Sequence, residues 1–418
     1  MTLEKTVRGS ADGNVRQFLF GDRYSPVTKI DIAIILLLAV FLFSAPLSMA
    51  AMNIGYGAAT LLWIGRMVWK RRNDIPRTPL DKFLLAYVAA ELLATAFAYN
   101  KEQSLLYAYR RVTLLPMIFV MLGNIRSRQV LKILLGTLLT SMVLVALWSM
   151  RDLILHFHQY LLFERRSREF QMYMTAGGMM MMGMILVIPF VVHPKTPPMV
   201  RWIALASVAP LAVNLLFTFT RSSWLGFLAG AFVIGAFRAK KVFVPVAFLV
   251  VIAVLVSSPE MKERMSSIVN PYHPTNIPRL HMWETGIKIF KDHPILGVGD
   301  IGIEQVWPMY SAPEWESQGH LHNNLIMWLV TLGIVGFLVL VSLFVKTWVV
   351  MRKIEKRLHG DWFLGSVALG GLAVLAGFHV NGLFEWNFGD AEIIMVVWAI
   401  VGMTLAAEKV AREEETLG

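Results

Sequence analysis

Apolar residues fall in long blocks separated by short polar intervals, and twelve of the blocks approach the roughly 20-residue length that a bilayer-spanning helix needs. They lie near 30–49, 51–69, 82–98, 104–123, 130–150, 171–192, 201–219, 222–237, 242–257, 321–345, 362–384 and 390–407. The pattern predicts an all-α integral membrane protein of about twelve transmembrane helices. It divides into a tail (1–29), nine spans (30–257), one long hydrophilic loop (258–320), three further spans (321–407) and a second tail (408–418). A loop of that length is expected to carry structure of its own. Within it, PEMKERMSSI reads as a short amphipathic helix. PRLHMWETGIKIFKDHP reads as a second, with Pro278 in its first turn and Leu280, Trp283, Ile287 and Phe290 on one face.

Charged residues make up 16% of the 418 positions, against about 25% in a typical soluble domain, so lipid is the main solvent. The net charge of +11 would suggest nucleic acid in a soluble chain. Here about two thirds of the 39 Lys and Arg residues fall in the polar intervals that share a side with the N-terminus. Cytoplasmic loops collect such residues, so both termini are expected to be cytoplasmic. Lys5, Arg8, Arg16, Arg23 and Lys29 precede the first span as in a signal anchor. No basic stretch outside the spans is interleaved with stacking aromatics, so nucleic acid is not an expected partner. The chain has no cysteine, which excludes disulfide, thiolate and Cys-zinc chemistry.

The remaining basic residues include Arg110, Arg111, Arg151, Arg165, Arg166, Arg168, Arg221 and Arg279, and sidedness gives no reason for them. Guanidinium binds phosphate through two parallel hydrogen bonds and never deprotonates, so an external arginine cluster suits an anionic ligand. The plainer alternative is contact with lipid phosphates or with loop acids such as Glu164, Glu169 and Glu263. Arg221, in LLFTFTRSSWLGFLAG, sits between two spans with almost no loop, where an ionised group is costly without a partner. Arg279 falls in the first turn of the second loop helix, where unpaired backbone N–H groups favour an anion.

Gly297, Gly299 and Gly302 in HPILGVGDIGIE match G-x-G-x-x-G, but they follow a helix and a His-Pro turn rather than a strand. They read as tight turns that allow close backbone approach, not as a dinucleotide site. In GHLHNNLIMWLVTLGIVGFL, His320 and His322 stand at the start of the tenth span, which Asn323 and Asn324 mark. The positive end of that helix disfavours imidazolium and keeps a histidine available as a base; the bland alternative is an interfacial hydrogen bond. The methionines of MTAGGMMMMGMIL point to different sides of one helix, so they read as packing, aided by Ala176, Gly177 and Gly178, rather than as a ligand face. A transporter or flippase would place ionisable groups near the midplane of discontinuous, repeated helices. Here no repeat is evident, and the conspicuous polar groups lie at span ends.

TFTRSSWLGFLAG, the R-L-H-M-W-x-x-G-x-x-x-x-x-x-H-P-I-L-G-V-G string from Arg279 to Gly299, and H-N-N-L at 322–325 with LGIVG at 332–336 together resemble the O-antigen ligase and polymerase superfamily of bacterial envelope glycosyltransferases. The resemblance implies a C-type, metal-independent transferase without a cofactor, working at the periplasmic face of the inner membrane; a single displacement with a histidine as base is expected to make it inverting. Its donor would be an undecaprenyl diphosphate-linked glycan and its acceptor lipid A-core, as in a ligase. A polymerase, or a protein O-oligosaccharyltransferase, is the alternative within the superfamily. Carried onto this sequence, His322 is the base, with His320 as an extra histidine beside it, and Arg221 and Arg279 hold the diphosphate. Arg166 or Arg110 could add to donor binding. Asn323, Glu385 and Asp390 could orient the base or bind the acceptor.

Overall fold

The computed structural model describes residues 28–417 apart from 72, 163–165, 167–169, 239, 257, 258, 269, 271 and 316–318. Almost all of the tail expected over 1–29 lies outside the described residues, within which every regular element is helical. In chain order these are α1 Lys29–Ser44, α2 Met49–Lys70, α3 Asp81–Ala96, α4 Lys101–Val112, α5 Pro116–Asn124, α6 Arg128–Leu155, α7 Phe157–Leu161 and α8 Tyr173–Val192. They continue with α9 Pro198–Phe217, α10 Arg221–Phe237, α11 Phe243–Val256, α12 Pro259–Ser266, α13 Ile277–Asp292, α14 Asn324–Leu358, α15 Leu364–Asn381 and α16 Ala391–Leu417.

Each expected span falls on a helix, but among the described residues seven helical segments are long and apolar enough to cross a membrane by themselves. The others are shorter or more polar. A 16-residue helix such as α1 or α3 rises only about 24 Å, less than the roughly 30 Å hydrocarbon core. The segment expected over 104–123 is interrupted at 113–115, where Pro116 lacks the N–H that would donate one turn back, although Leu115 itself keeps helical angles of φ −62° and ψ −37°.

Helices that are apolar all round belong in the interior, and α8, α15 and α16 are almost wholly buried. Met179, Met180, Met181 and Met182 are all enclosed, as packing rather than ligation requires. Helices α10 and α15 cross with their backbones nearly touching. A Cβ on Gly226 would lie 2.7 Å from the Gly377 carbonyl oxygen, and one on Gly377 would lie 2.9 Å from that of Gly226. This close crossing sets the start of α10, Arg221, beside the end of α15.

The opposite ends of these helices carry the basic residues that the charge pattern groups with the N-terminus. Arg66 pairs with buried Asp31, with Arg126 also 3.7 Å away. Arg238 and Arg352 share Glu355, and Arg128 holds both Asp361 and Glu414.

The hydrophilic loop folds back into the bundle. Helix α14 breaks at Gly333, whose φ of 62° and ψ of −167° only glycine adopts readily. The HPILGVG segment lies against the break and satisfies its backbone groups. Val298 N–H and Gly299 N–H donate to the Val330 and Thr331 carbonyls at 2.9 and 3.0 Å, while Ile334 N–H donates to Pro294 O at 2.8 Å. Irregular backbone at membrane depth is tolerated when it is buried and paired in this way. Gly297 and Gly299 have positive φ, so the turns expected of them are present.

One expectation for α13 needs correction. Its buried stripe is Met282, Thr285, Gly286 and Ile289 rather than Leu280, Trp283, Ile287 and Phe290, a rotation of about one residue, or 100°. Gly286 packs onto Leu321 and Ile326 of the following segment, and that close contact decides the face.

Candidate functional site

Arg221 is the first residue of α10 and only 7% exposed. It follows Phe219, a buried non-glycine residue at φ 54°. Its guanidinium donates through Nη1 to the Ser267 carbonyl at 3.0 Å and to Ser267 Oγ at 2.6 Å, and through Nη2 to Asn276 Oδ1 at 2.7 Å. All of these partners are neutral. They fix the side chain without neutralising it, which keeps its charge available.

Asn276 ends the loop before α13, and Arg279 sits one turn into that helix. The two arginines line one cavity of about 210 Å³ together with Ser222, Asn276 and an apolar wall of Leu225, Ile268, Leu280, Trp283 and Phe384. Leu280 and Trp283 therefore line the cavity, and Trp283 also packs against the core beside the buried stripe of α13. Arg279 Nη2 lies 3.9 Å from Glu385 Oε2. Two guanidiniums against one carboxylate leave the cavity electropositive, so an anion is favoured there.

Glu385 faces two ways. Its Oε1 accepts from the Trp386 N–H at 3.1 Å and lies 3.0 Å from His322 Nδ1. Burial works against the Glu385 charge, but the His322 hydrogen bond and the nearby His322, Arg279 and His320 outweigh it and hold the carboxyl below its usual range. An ionised Glu385 requires the proton on Nδ1 of His322, which places the imidazole lone pair on Nε2. His322 itself has φ 47°. A non-glycine residue in the left-handed region costs about 1–3 kcal/mol, and such strain clusters at functional sites. The third such residue, Arg71, caps the C-terminus of α2, where that conformation is ordinary.

His320 packs its ring 4.3 Å from that of His322, and its Nδ1 accepts from the His322 backbone N–H at 3.4 Å. Burial, with His322 and Arg279 close by, pushes its pKa down to about 4. His320, His322 and Glu385 form a three-residue grouping whose ligand atoms lie within 4.8 Å of one another. A cation there would have to displace the His322–Glu385 hydrogen bond and face the Arg279 guanidinium. That charge pattern fits an anion at the neighbouring cavity better than a metal.

The other sequence candidates divide. Asn323 caps α14, accepting from Leu325 N–H and Ile326 N–H at 2.9 and 3.1 Å, and its Nδ2 donates to Leu383 O at 2.8 Å. It thereby ties the His322 segment to the Glu385 loop. Asp390 accepts from Thr175 Oγ1 at 2.5 Å and caps α16; burial and Glu392 push its pKa up to about 7. It is engaged with α8, not with His322. Arg166 lies over the Tyr173 ring at 4.4 Å, and Arg110 is exposed over Tyr107 at 5.6 Å. Neither lines the cavity that Arg221 and Arg279 share.

A buried amide chain missed in the sequence joins these pieces. Asn324 donates to Asn387 at 2.5 Å, Asn387 to Asn381 at 2.8 Å, and Asn381 to Ser223 Oγ at 3.0 Å. It runs from the start of α14 through the Glu385 loop to the first turn of α10. The asparagines of NGLFEWNFGD, polar residues in an apolar context, are the signal that marks them.

Residues 203–341, about a third of the chain, match a family model described as O-antigen ligase. The matched stretch contains Arg221, Arg279 and His322 and stops before Glu385. Comparison with curated proteins finds no match. The chain is thus a multi-pass membrane protein whose residues 203–341 are similar to the O-antigen ligase family.

Proposed function

We propose that this protein is a glycosyltransferase that moves a glycan from undecaprenyl diphosphate to lipid A-core oligosaccharide, in the manner of an O-antigen ligase. The observation that carries the reading is the convergence, from four separate segments, of Arg221 and Arg279 on one cavity and of Arg279 with the His322–Glu385 pair. Its membrane is the bacterial inner membrane, and the site end of the bundle faces the periplasm. The gathering of basic residues at the other end supports this orientation.

Without nucleotide sugars on that face, the donor must arrive already activated, and a lipid diphosphate meets that need. The acceptor hydroxyl attacks the anomeric carbon as the bond from that carbon to the diphosphate oxygen breaks. Undecaprenyl diphosphate leaves with both bonding electrons. Arg221 and Arg279 stabilise the charge that grows on it, as fixed electrostatic groups do in a water-poor site. The apolar wall of Leu225, Ile268, Leu280 and Trp283 receives the first part of the lipid. His322 Nε2 takes the hydroxyl proton, and Glu385 holds Nδ1–H and balances the imidazolium so formed. One displacement gives inversion at the anomeric carbon.

The test offers purified protein an undecaprenyl diphosphate glycan with lipid A-core, a second lipid-linked glycan or a protein acceptor, in parallel. Transfer to lipid A-core supports the ligase reading. Transfer to the second glycan makes the protein a polymerase, and transfer to protein makes it an O-oligosaccharyltransferase. Translocation without a new glycosidic bond would replace the whole reading with a flippase.

A further inference from the structure

Arg110 and Arg111 adjoin in sequence but face different surroundings. Arg110 is exposed, whereas the Arg111 side chain is 14% exposed and its partner Asp300 2%. Arg111 holds Asp300 through two nitrogens, Nε and Nη2, the latter at 2.7 Å. Asp300 follows the GVG turn docked at the break in α14, and its backbone N–H donates to Ser104 Oγ at 3.1 Å. Both ends of the ion pair are therefore anchored, one on α4 and one on the loop that closes the break.

The face of the same guanidinium lies over the Trp386 ring at 4.8 Å and near Phe388 at 5.7 Å. Its third nitrogen, Nη1, is buried and makes no hydrogen bond, and buried Tyr87 and Glu91 lie close enough to act on its charge. Trp386 is the residue whose backbone N–H holds Glu385 Oε1 at 3.1 Å, the oxygen that meets His322 Nδ1. A planar group clamped at its edge by a carboxylate restricts a ring stacked on its face, and restricting the ring restricts its peptide.

We propose that Arg111 is a positioning residue: clamped by Asp300 and stacked on Trp386, it holds the Glu385 carboxylate against His322. This rests on the role given to Glu385 under Proposed function. Arg111 is distinct from the cavity arginines, because its charge is already matched by Asp300 and the diphosphate has no need of it.

The test is a double-mutant cycle in reconstituted protein, following kcat and donor KM. Replacing Arg111→Leu together with Asp300→Asn and Glu91→Gln avoids stranding the buried carboxylates that face the guanidinium. It should lower kcat about tenfold and leave donor KM within about twofold. In the Glu385→Gln background the same change should cost less than about threefold, since the carboxylate it positions is gone. Arg111→Lys keeps the charge but not the fork or the flat face, and should lower kcat as the leucine variant does. Trp386→Leu, which leaves the ion pair intact, should show the same non-additivity with Glu385→Gln and decides the matter if the Arg111 variants fail to fold. Losses that multiply, a loss confined to donor KM, or full activity of Arg111→Lys would each overturn the proposal. If Glu385→Gln alone left kcat unchanged, the reading of the site, rather than the role of Arg111, would be at fault.

Discussion

Replacing Glu385 with glutamine removes one charge and keeps the shape, so it isolates what the carboxylate does. In wild type, Oε1 lies 3.0 Å from His322 Nδ1, and the charges of the imidazolium and carboxylate are centred roughly 4 Å apart. At the effective dielectric of about 20 that suits partly buried pairs, two unit charges at that distance interact by about 4 kcal/mol. With the proton about half transferred in the transition state, about 2 kcal/mol of that is realised, or about 30-fold in kcat. The figure agrees with the roughly 1.5–3 kcal/mol of a hydrogen bond to a charged group. The assay is transfer by reconstituted protein across a pH series, with donor concentration varied to separate kcat from KM. Because the Glu385 pKa is held below its usual value, the carboxylate is present throughout neutral pH. The loss should therefore appear throughout the neutral range and narrow only at acid pH, where the wild-type carboxylate is itself protonated. A kcat within twofold of wild type, or a loss confined to donor KM, would refute the dyad.

Several perturbations probe other parts of the same argument. Arg221→Lys loses the fork that spans Ser267 and Asn276 and should raise donor KM about 10- to 100-fold; neutralising Arg221 and Arg279 together should abolish transfer, and retention of wild-type turnover would remove the diphosphate role. Gly333→Ala puts a Cβ 2.3 Å from the Ile295 backbone at a φ of 62° and should destabilise the protein by about 3 kcal/mol or more, seen as a lower melting temperature in detergent. His320 stays neutral in the folded protein down to about pH 4 but titrates at its ordinary 6.5 when unfolded. Its contribution to stability is thus complete above 6.5 and falls by up to about 1.4 kcal/mol per pH unit on acidification toward 4; His320→Gln should melt with less pH dependence, and an unchanged dependence would contradict this. For sidedness, a single cysteine at Glu314 should react with an impermeant label in intact cells and one at His359 should not.

Local pattern revealed the helices because apolar runs and proline breaks act within a few residues. It identified Arg221 because a charge inside an apolar run is visible without any fold. It was less able to choose between neighbours. Ser104, Ala108 and Arg111 recur at the i, i+4, i+7 spacing of one helix face, and their burial could have singled out Arg111, but two adjacent arginines in an amphipathic helix look equivalent until the covering surface is known. The stripe of α13 was misread for the same reason: Leu280 and Trp283 are apolar to line a cavity, and Gly286 faces inward because it is small. Farther apart, His322 and Glu385 are 63 residues distant, and no pattern along the chain measures their separation. What joins them is the pairing of α14 with α15, the Asn323 and Asn324 bonds across the loop, and the near-contact of Gly226 with Gly377 that brings α10 alongside. Glu385 and Asp390 were comparable candidates in sequence, and packing separated them by giving Asp390 to Thr175 and α16. A histidine at a helix start becomes a base only when a carboxylate from another helix end fixes its tautomer, and that condition belongs to the assembled bundle rather than to either motif.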